Sequence, residues 1–309
     1  MPREVYGKDF AFMGRDVVLT FEEIERLARI FVGLGVEKLR ITGGEPLVRR
    51  DLPDLIRMLA RLRRPDGESV DLTLTTNGAA LRALAGQLRD AGLHRVTVSL
   101  DSLDDAVFQA MNGIDFPVAR VLEGIAAARA VGLAPIKVNT VVRRGMNDAG
   151  ILPLARWARD EGLILRFIEY MDVGTTNGWR MDDVLPAAEI IETIAREMPL
   201  EPLDPNYPGE VAARWRYRDG GEVGVITSVT QPFCATCTRA RLSADGQLYT
   251  CLFAGRGDDL KGPMRAGASD DELEATIRRV WSIRADRYSD LRSQATSSLP
   301  RVEMFAMGG

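Results

Sequence analysis

Helical and extended patterns alternate along the first 170 residues, and this alternation restricts the fold more than any other feature of the chain. Thr20-Phe21-Glu22-Glu23 has capping-box spacing. Phe21, Ile24, Leu27, Ala28, Phe31 and Leu34 then recur at helical intervals until Gly35, and a short strand follows at 38–42. The unit repeats: a helix around 52–63 with a strand at 71–75, one around 80–91 with 95–100, one around 118–130 with 136–142, and one around 151–160 with 164–170. Five βα-type units in succession predict an α/β fold with a parallel sheet, closed or nearly closed.

Fully covered parallel strands usually read as continuous apolar runs. Here Leu39 and Ile41 alternate with Lys38, Arg40 and Thr42, and Leu72 and Leu74 with Thr73 and Thr75. Val96 and Val98 oppose Thr97 and Ser99, and Ile136 and Val138 oppose Lys137 and Asn139. If the apolar faces meet outer helices, the polar faces line an interior. A filled eight-stranded barrel prefers branched apolar residues there, so a polar interior predicts a wider or incomplete barrel holding a polar ligand. Past the barrel, the proline-rich stretch 199–209 reads as a linker. Strand-like pieces at 213–217 and 222–227, the cysteines and a helix around 270–281 follow.

All three cysteines stand in one segment, Cys234-x2-Cys237-x13-Cys251, and the only histidine is His94. Three thiolates without a fourth ligand suit an iron–sulfur cluster with one iron open to substrate. Zinc, completed by Asp245 or Asp258, and incidental buried thiols are the alternatives. An odd cysteine count does not make a secreted disulfide framework. A net charge of −4 gives no bulk attraction to nucleic acid. Nothing at Met1-Pro2-Arg3-Glu4 resembles a signal peptide, no apolar run reaches membrane-spanning length, and the expected location is cytoplasmic.

Function in barrels collects at the C-terminal ends of strands. Those ends carry Thr42-Gly43-Gly44-Glu45-Pro46, Thr75-Thr76-Asn77-Gly78, Ser99-Leu100-Asp101-Ser102, Lys137-Val138-Asn139-Thr140 and Glu169-Tyr170-Met171. Gly43-Gly44-Glu45-Pro46 resembles the signature of radical S-adenosylmethionine enzymes. Together with the cysteine spacing and the terminal Gly308-Gly309, it resembles the GTP 3′,8-cyclase family of molybdenum cofactor biosynthesis along essentially the whole chain.

That resemblance implies an incomplete (β/α)6 barrel at 1–205 and a smaller C-terminal cluster- and substrate-binding domain at 206–309. It implies that Gly44, Ser99 and Met171 hold S-adenosylmethionine, that Arg40, Thr75, Lys137, Arg239, Ala240 and Arg241 contact GTP, and that Cys234, Cys237 and Cys251 bind a [4Fe-4S] cluster. The implied reaction is radical cyclisation of GTP to 3′,8-cyclo-7,8-dihydro-GTP, the first step of molybdopterin biosynthesis. Its implied partners are an electron donor such as flavodoxin or ferredoxin and the downstream cyclic pyranopterin monophosphate synthase; the resemblance also admits a homodimer. The flexible double-glycine tail is expected to reach the active site.

One departure is large. The family holds a first [4Fe-4S] cluster through a CxxxCxxC loop, which this sequence lacks. Its third cysteine is commonly followed by Met-Pro or Leu-Pro, and this chain begins Met1-Pro2. The expectation is a chain starting just after that loop, without the first barrel strand, and unable to cleave S-adenosylmethionine. The rival readings are a radical enzyme with an auxiliary cluster acting on another substrate, and a non-catalytic nucleotide- or metal-binding remnant.

Overall fold

The computed structural model describes residues 13–14, 16–173, 178–292 and 302–303; Met1-Pro2 and Gly308-Gly309 lie outside the described residues. Helix α1 (Phe21–Gly33) opens on the anticipated capping box, in which the Thr20 hydroxyl accepts the Glu23 amide and the Glu23 carboxylate accepts the Thr20 amide. The alternation then runs β1 (Lys38–Ile41), α2 (Leu52–Ala60), β2 (Asp71–Thr76), α3 (Leu81–Asp90) and β3 (Arg95–Ser99). It continues through α4 (Asp105–Asn112), α5 (Val118–Ala130), β4 (Lys137–Val142), α6 (Ile151–Asp160) and β5 (Ile164–Glu169). Strands β1 to β5 pair in parallel in chain order.

After helix α7 (Ala187–Ala195), a hairpin of β6 (Leu200–Leu203) and β7 (Ala213–Tyr217) returns the chain to β8 (Glu222–Ile226). β8 pairs parallel with β5 and antiparallel with β7, giving the order β1-β2-β3-β4-β5-β8-β7-β6. Six parallel strands with helices along one face form the incomplete barrel, and the hairpin extends its sheet. The segment 199–209 therefore contains a strand where a linker is expected. Its Pro202 misleads because an edge strand tolerates a residue that cannot donate to a ladder, and β6 is last in the order among the described residues.

The pleat sorts the side chains as the alternation predicts. Leu72, Leu74, Val96, Val98, Leu165 and Phe167 are all at or below 1% exposure and pack with the helices. Burying each such side chain stabilises by about 1.5–3 kcal/mol. Tight contact is needed where α3 meets α5: a Cβ on Gly124 would stand 2.8 Å from the Gly78 carbonyl oxygen.

The C-terminal part adds a three-stranded antiparallel sheet of β9 (Arg241–Leu242), β10 (Gln247–Tyr249) and β11 (Asp258–Asp259), then α8 (Lys261–Arg265) and α9 (Asp270–Ser282). Its small core joins Leu248, Leu260, Leu273 and Ile277 to Leu27 and Ile30 of α1. Arg26 also pairs with Asp270 at 2.7 Å, and Arg265 with Glu23 at 2.7 Å. Helix α1 thus serves two cores. Among the described residues, no helix is long and apolar enough to cross a membrane.

Candidate functional site

The sheet face opposite the helices carries the polar residues of each strand. Register places Arg40 beside Thr73, Thr75 beside Thr97, Thr97 beside Lys137, and Asn139 beside Arg166. The Arg40 guanidinium donates to Thr75 Oγ1 at 2.9 Å and Thr97 Oγ1 at 3.2 Å. From the other side, Arg166 donates to Asn139 Oδ1 at 3.0 Å and reaches the same Thr97 hydroxyl at 3.5 Å. Side chains from β1 and β5 thus converge over β3, as a concave lumen requires. Gly224 of β8 is the register partner of Arg166.

The electrostatics are one-sided. Burial lowers the pKa of Arg40; burial and the Arg40 charge pull Arg166 down to about 10. Burial, joined by the Arg166 charge, pulls Lys137 down to about 8. Arg40 nevertheless keeps solvent contact, so its guanidinium lies in a concavity that water enters. Neighbouring carboxylates serve other cations: Asp71 pairs with Lys38 and Arg95, and Glu222 with Arg214. Among the described residues Arg40, Lys137 and Arg166 have no ion-pair partner, and the buried Thr73 hydroxyl has no hydrogen-bond partner. Arg40 is exposed and Lys137 and Arg166 are half-buried, so three cations in one concavity without a carboxylate partner leave their charge open to an anion.

At the C-terminal strand ends the Gly-Gly-Glu-Pro loop is locked by its glutamate. Glu45 accepts the Thr76 hydroxyl at 2.7 Å, the Asn77 amide at 2.7 Å and the Leu47 amide at 2.9 Å. Gly43 takes φ +136°, a conformation L side chains rarely adopt. Gly44, beside it, is exposed, as is Ser99 at the end of β3; Met171 follows β5 by two residues. Asp101, just past β3, has its carboxyl pushed up to about 6 by burial while accepting the Val141 amide. Glu169 points away from this rim and bonds to α7 and the 229–230 turn.

The cysteine segment corrects an expectation. Among the described residues, no group of three or more Cys, His, Asp or Glu side chains converges to hold a metal ion, so Cys234, Cys237 and Cys251 do not form the expected [4Fe-4S] site. The same finding removes the zinc alternative. Two of the thiols are engaged by different partners: Cys237 Sγ accepts Arg239 Nη2 at 3.2 Å, while Cys251 Sγ accepts the Phe253 amide at 3.4 Å. Burial pushes the Cys237 thiol up, but the Arg239 charge and hydrogen bonds outweigh it and leave its pKa below the ordinary value. Around these thiols lies a second cationic group. Burial and the Arg239 charge pull Arg241 down to about 10, Arg239 stacks 5.1 Å from the Phe233 ring, and Arg284 donates to the Cys237 carbonyl. Ala240, between the two arginines, is exposed.

Of the residues anticipated for the substrate, Arg40, Thr75 and Lys137 share the lumen, whereas Arg239, Ala240 and Arg241 belong to the thiol neighbourhood. Thr97 and Asn139 lie in the lumen as the polar strand faces predict, though neither was assigned to a ligand, and Arg166 is a lumen residue that the sequence reading passed over. The signal for Arg166 was available, because a lone cation between Leu165 and Phe167 faces the side that Lys137 faces.

Fold and site define an incomplete α/β barrel protein with a cationic lumen and a C-terminal extension. Residues 5–158 match the family model of the Radical SAM superfamily, and residues 163–290 match Molybdenum Cofactor Synthesis C. A GTP 3′,8-cyclase of Acidothermus cellulolyticus is 57% identical over 298 residues, spanning 95% of this chain and 81% of that protein. Those of Xanthomonas campestris and Staphylococcus carnosus are 48% and 45% identical over all of this chain and 89% and 91% of theirs. The chain belongs to the GTP 3′,8-cyclase family.

Proposed function

We propose that this chain binds GTP for the S-adenosylmethionine-dependent cyclisation to 3′,8-cyclo-7,8-dihydro-GTP that opens molybdopterin biosynthesis. The observation that carries the reading is the lumen: Arg40, Lys137 and Arg166 converge there without carboxylate partners, and Thr75 and Thr97 orient the Arg40 guanidinium. A triphosphate supplies the anionic charge these cations need, through charge-assisted hydrogen bonds. Arg239 and Arg241 extend the basic surface, with Ala240 leaving the backbone between them accessible. In this reaction class S-adenosylmethionine would supply the radical on taking one electron from an iron–sulfur cluster, whose ligands are not gathered among the described residues of this chain. Gly44, Ser99 and Met171 are proposed to hold it at the C-terminal rim, where Glu45 fixes the loop that presents Gly44.

The test is equilibrium binding of GTP, ATP and guanosine to the parent and to Arg40→Ala, Lys137→Ala and Arg166→Ala. Each substitution is expected to weaken GTP by about ten- to hundredfold, the range of lost charge-assisted hydrogen bonds, and to leave guanosine unchanged. Equal losses for both ligands would remove the phosphate assignment. Equal affinity of the parent for GTP and ATP would remove the guanine assignment.

A further inference from the structure

We infer that Glu210, carried to the strand-start end of the lumen by the β6–β7 loop, sets how steeply the cation group discriminates among guanosine phosphates of different charge. The inference rests on the GTP reading above and names a residue that tunes it. The loop joins Leu203 to Arg214, the last register pair of the hairpin. On one side it meets the lumen, where Lys38 Nζ of β1 stands 4.2 Å from the centre of the Tyr207 ring. On the other it abuts the thiol segment, since a Cβ on Gly209 would stand 2.8 Å from both the Thr236 carbonyl oxygen and the Thr238 hydroxyl. It therefore lies between the two cationic groups.

Of the two carboxylates in this loop, Asp204 and Glu210, the second is held in place by the loop itself. Glu210 accepts the Asn206 amide at 2.6 Å and the Asn206 side-chain amide at 3.2 Å, and its own amide donates to the Tyr207 carbonyl at 3.2 Å. Thus fixed, Glu210 is the carboxylate whose charge acts on both Lys137 and Arg166 without forming an ion pair with either. Glu222 also acts on them, but its oxygens are both taken by Arg214. A fixed negative charge lowers the attraction of the lumen for any anion, by an amount proportional to the charge the anion brings. It penalises the triphosphate most in absolute terms and a neutral nucleoside not at all. Glu210 is a positioning charge, distinct from the groups that touch substrate.

The experiment compares the full chain with Glu210→Gln, which keeps the size of the side chain and an acceptor for Asn206, against GTP, GDP, GMP and guanosine at low and high salt. The expected result is GTP binding tightened about three- to fivefold, the span of a partly screened charge interaction, with a graded decline through GDP and GMP and no change for guanosine. The gain should shrink in high salt. Unchanged or weaker GTP binding, or a guanosine shift as large as that of GTP, would overturn the inference. The reading of the site fails separately, and visibly, if the parent itself binds GTP no better than guanosine.

Discussion

Replacing Glu169 with alanine tests whether one buried carboxylate holds the sixth parallel strand and α7 against the barrel. Glu169 is 1% exposed and accepts the amides of Ala187, Val229 and Thr230 at 2.9, 2.8 and 2.9 Å, together with the Thr230 hydroxyl. Ala187 is the first residue of α7, so the carboxylate also satisfies an amide that no helix can pair internally. Alanine removes all four acceptor contacts, and each donor left buried costs about 1–3 kcal/mol. Allowing for the regained solvation of a removed charge, the loss should be about 3–5 kcal/mol. For a chain of this length, that is a fall of about 5–8 °C in the thermal midpoint. Glu169→Gln keeps the volume but turns an N–H toward one donor, and should cost about half as much. Thr230→Val removes only the hydroxyl and should cost about 1 kcal/mol. Thermal melts at one protein concentration and scan rate read this ranking, and hydrogen exchange at Ala187, Val229 and Thr230 locates it. Glu169→Ala melting within 1 °C of the parent, or Thr230→Val matching it in severity, would refute the reasoning.

The pH response of the lumen follows from Lys137, whose pKa falls from 10.5 to about 8. It is charged below pH 8 and neutral above, so affinity for inorganic triphosphate should drop about tenfold from pH 7 to 9, and Lys137→Met should flatten that part of the profile. The unfolded chain keeps this proton up to the ordinary lysine pKa, so the same group weakens the fold below pH 8, a penalty that fades as pH rises from 8 toward 10.5. Gly124→Ala should destabilise by about 1–3 kcal/mol, because its methyl would stand 2.8 Å from the Gly78 oxygen and 3.1 Å from Leu81 Cβ. Gly86→Ala in α3 meets nothing within 4 Å and should instead gain about 0.5–1 kcal/mol, so equal melting of the two variants would break the packing argument.

Much of the barrel was legible because each helix and strand is long enough to show its own period. The five parallel strands fall within one residue of the expected bounds at each end, and in the first four the polar face read from alternation is the lumen face. Strands of two or three residues such as β9, β10 and β11 carry no period, and β6 hides behind Pro202. The Gly-Gly-Glu-Pro motif drew attention to its glycines, while the structure gives its glutamate the task of fixing the loop. Arg166 was missed because alternation was read in the four preceding strands and not in β5, where Ile164 and Ile168 flank it on the lumen face. The cysteines mark the opposite limit: spacing brings thiols near one another in the chain, but where Sγ points depends on partners such as Arg239 and the Phe253 amide.

The two cationic groups differ in a way that bears on how the site works. In the lumen, threonine and asparagine side chains orient Arg40 and Arg166 without neutralising them, so their charge remains available to a ligand. Near the thiols, Arg239 is spent partly on Cys237 and Phe233, and Arg284 on the Cys237 carbonyl and Asp286. Hydroxyl and amide partners keep a guanidinium in one geometry at little electrostatic cost, whereas a carboxylate would hold it equally well and cancel the field. A strand face built from arginine, lysine, threonine and asparagine is therefore arranged to seek an anion. The apolar face of the same strands, packed under seven helices, supplies the stability that lets those charges stand unpaired.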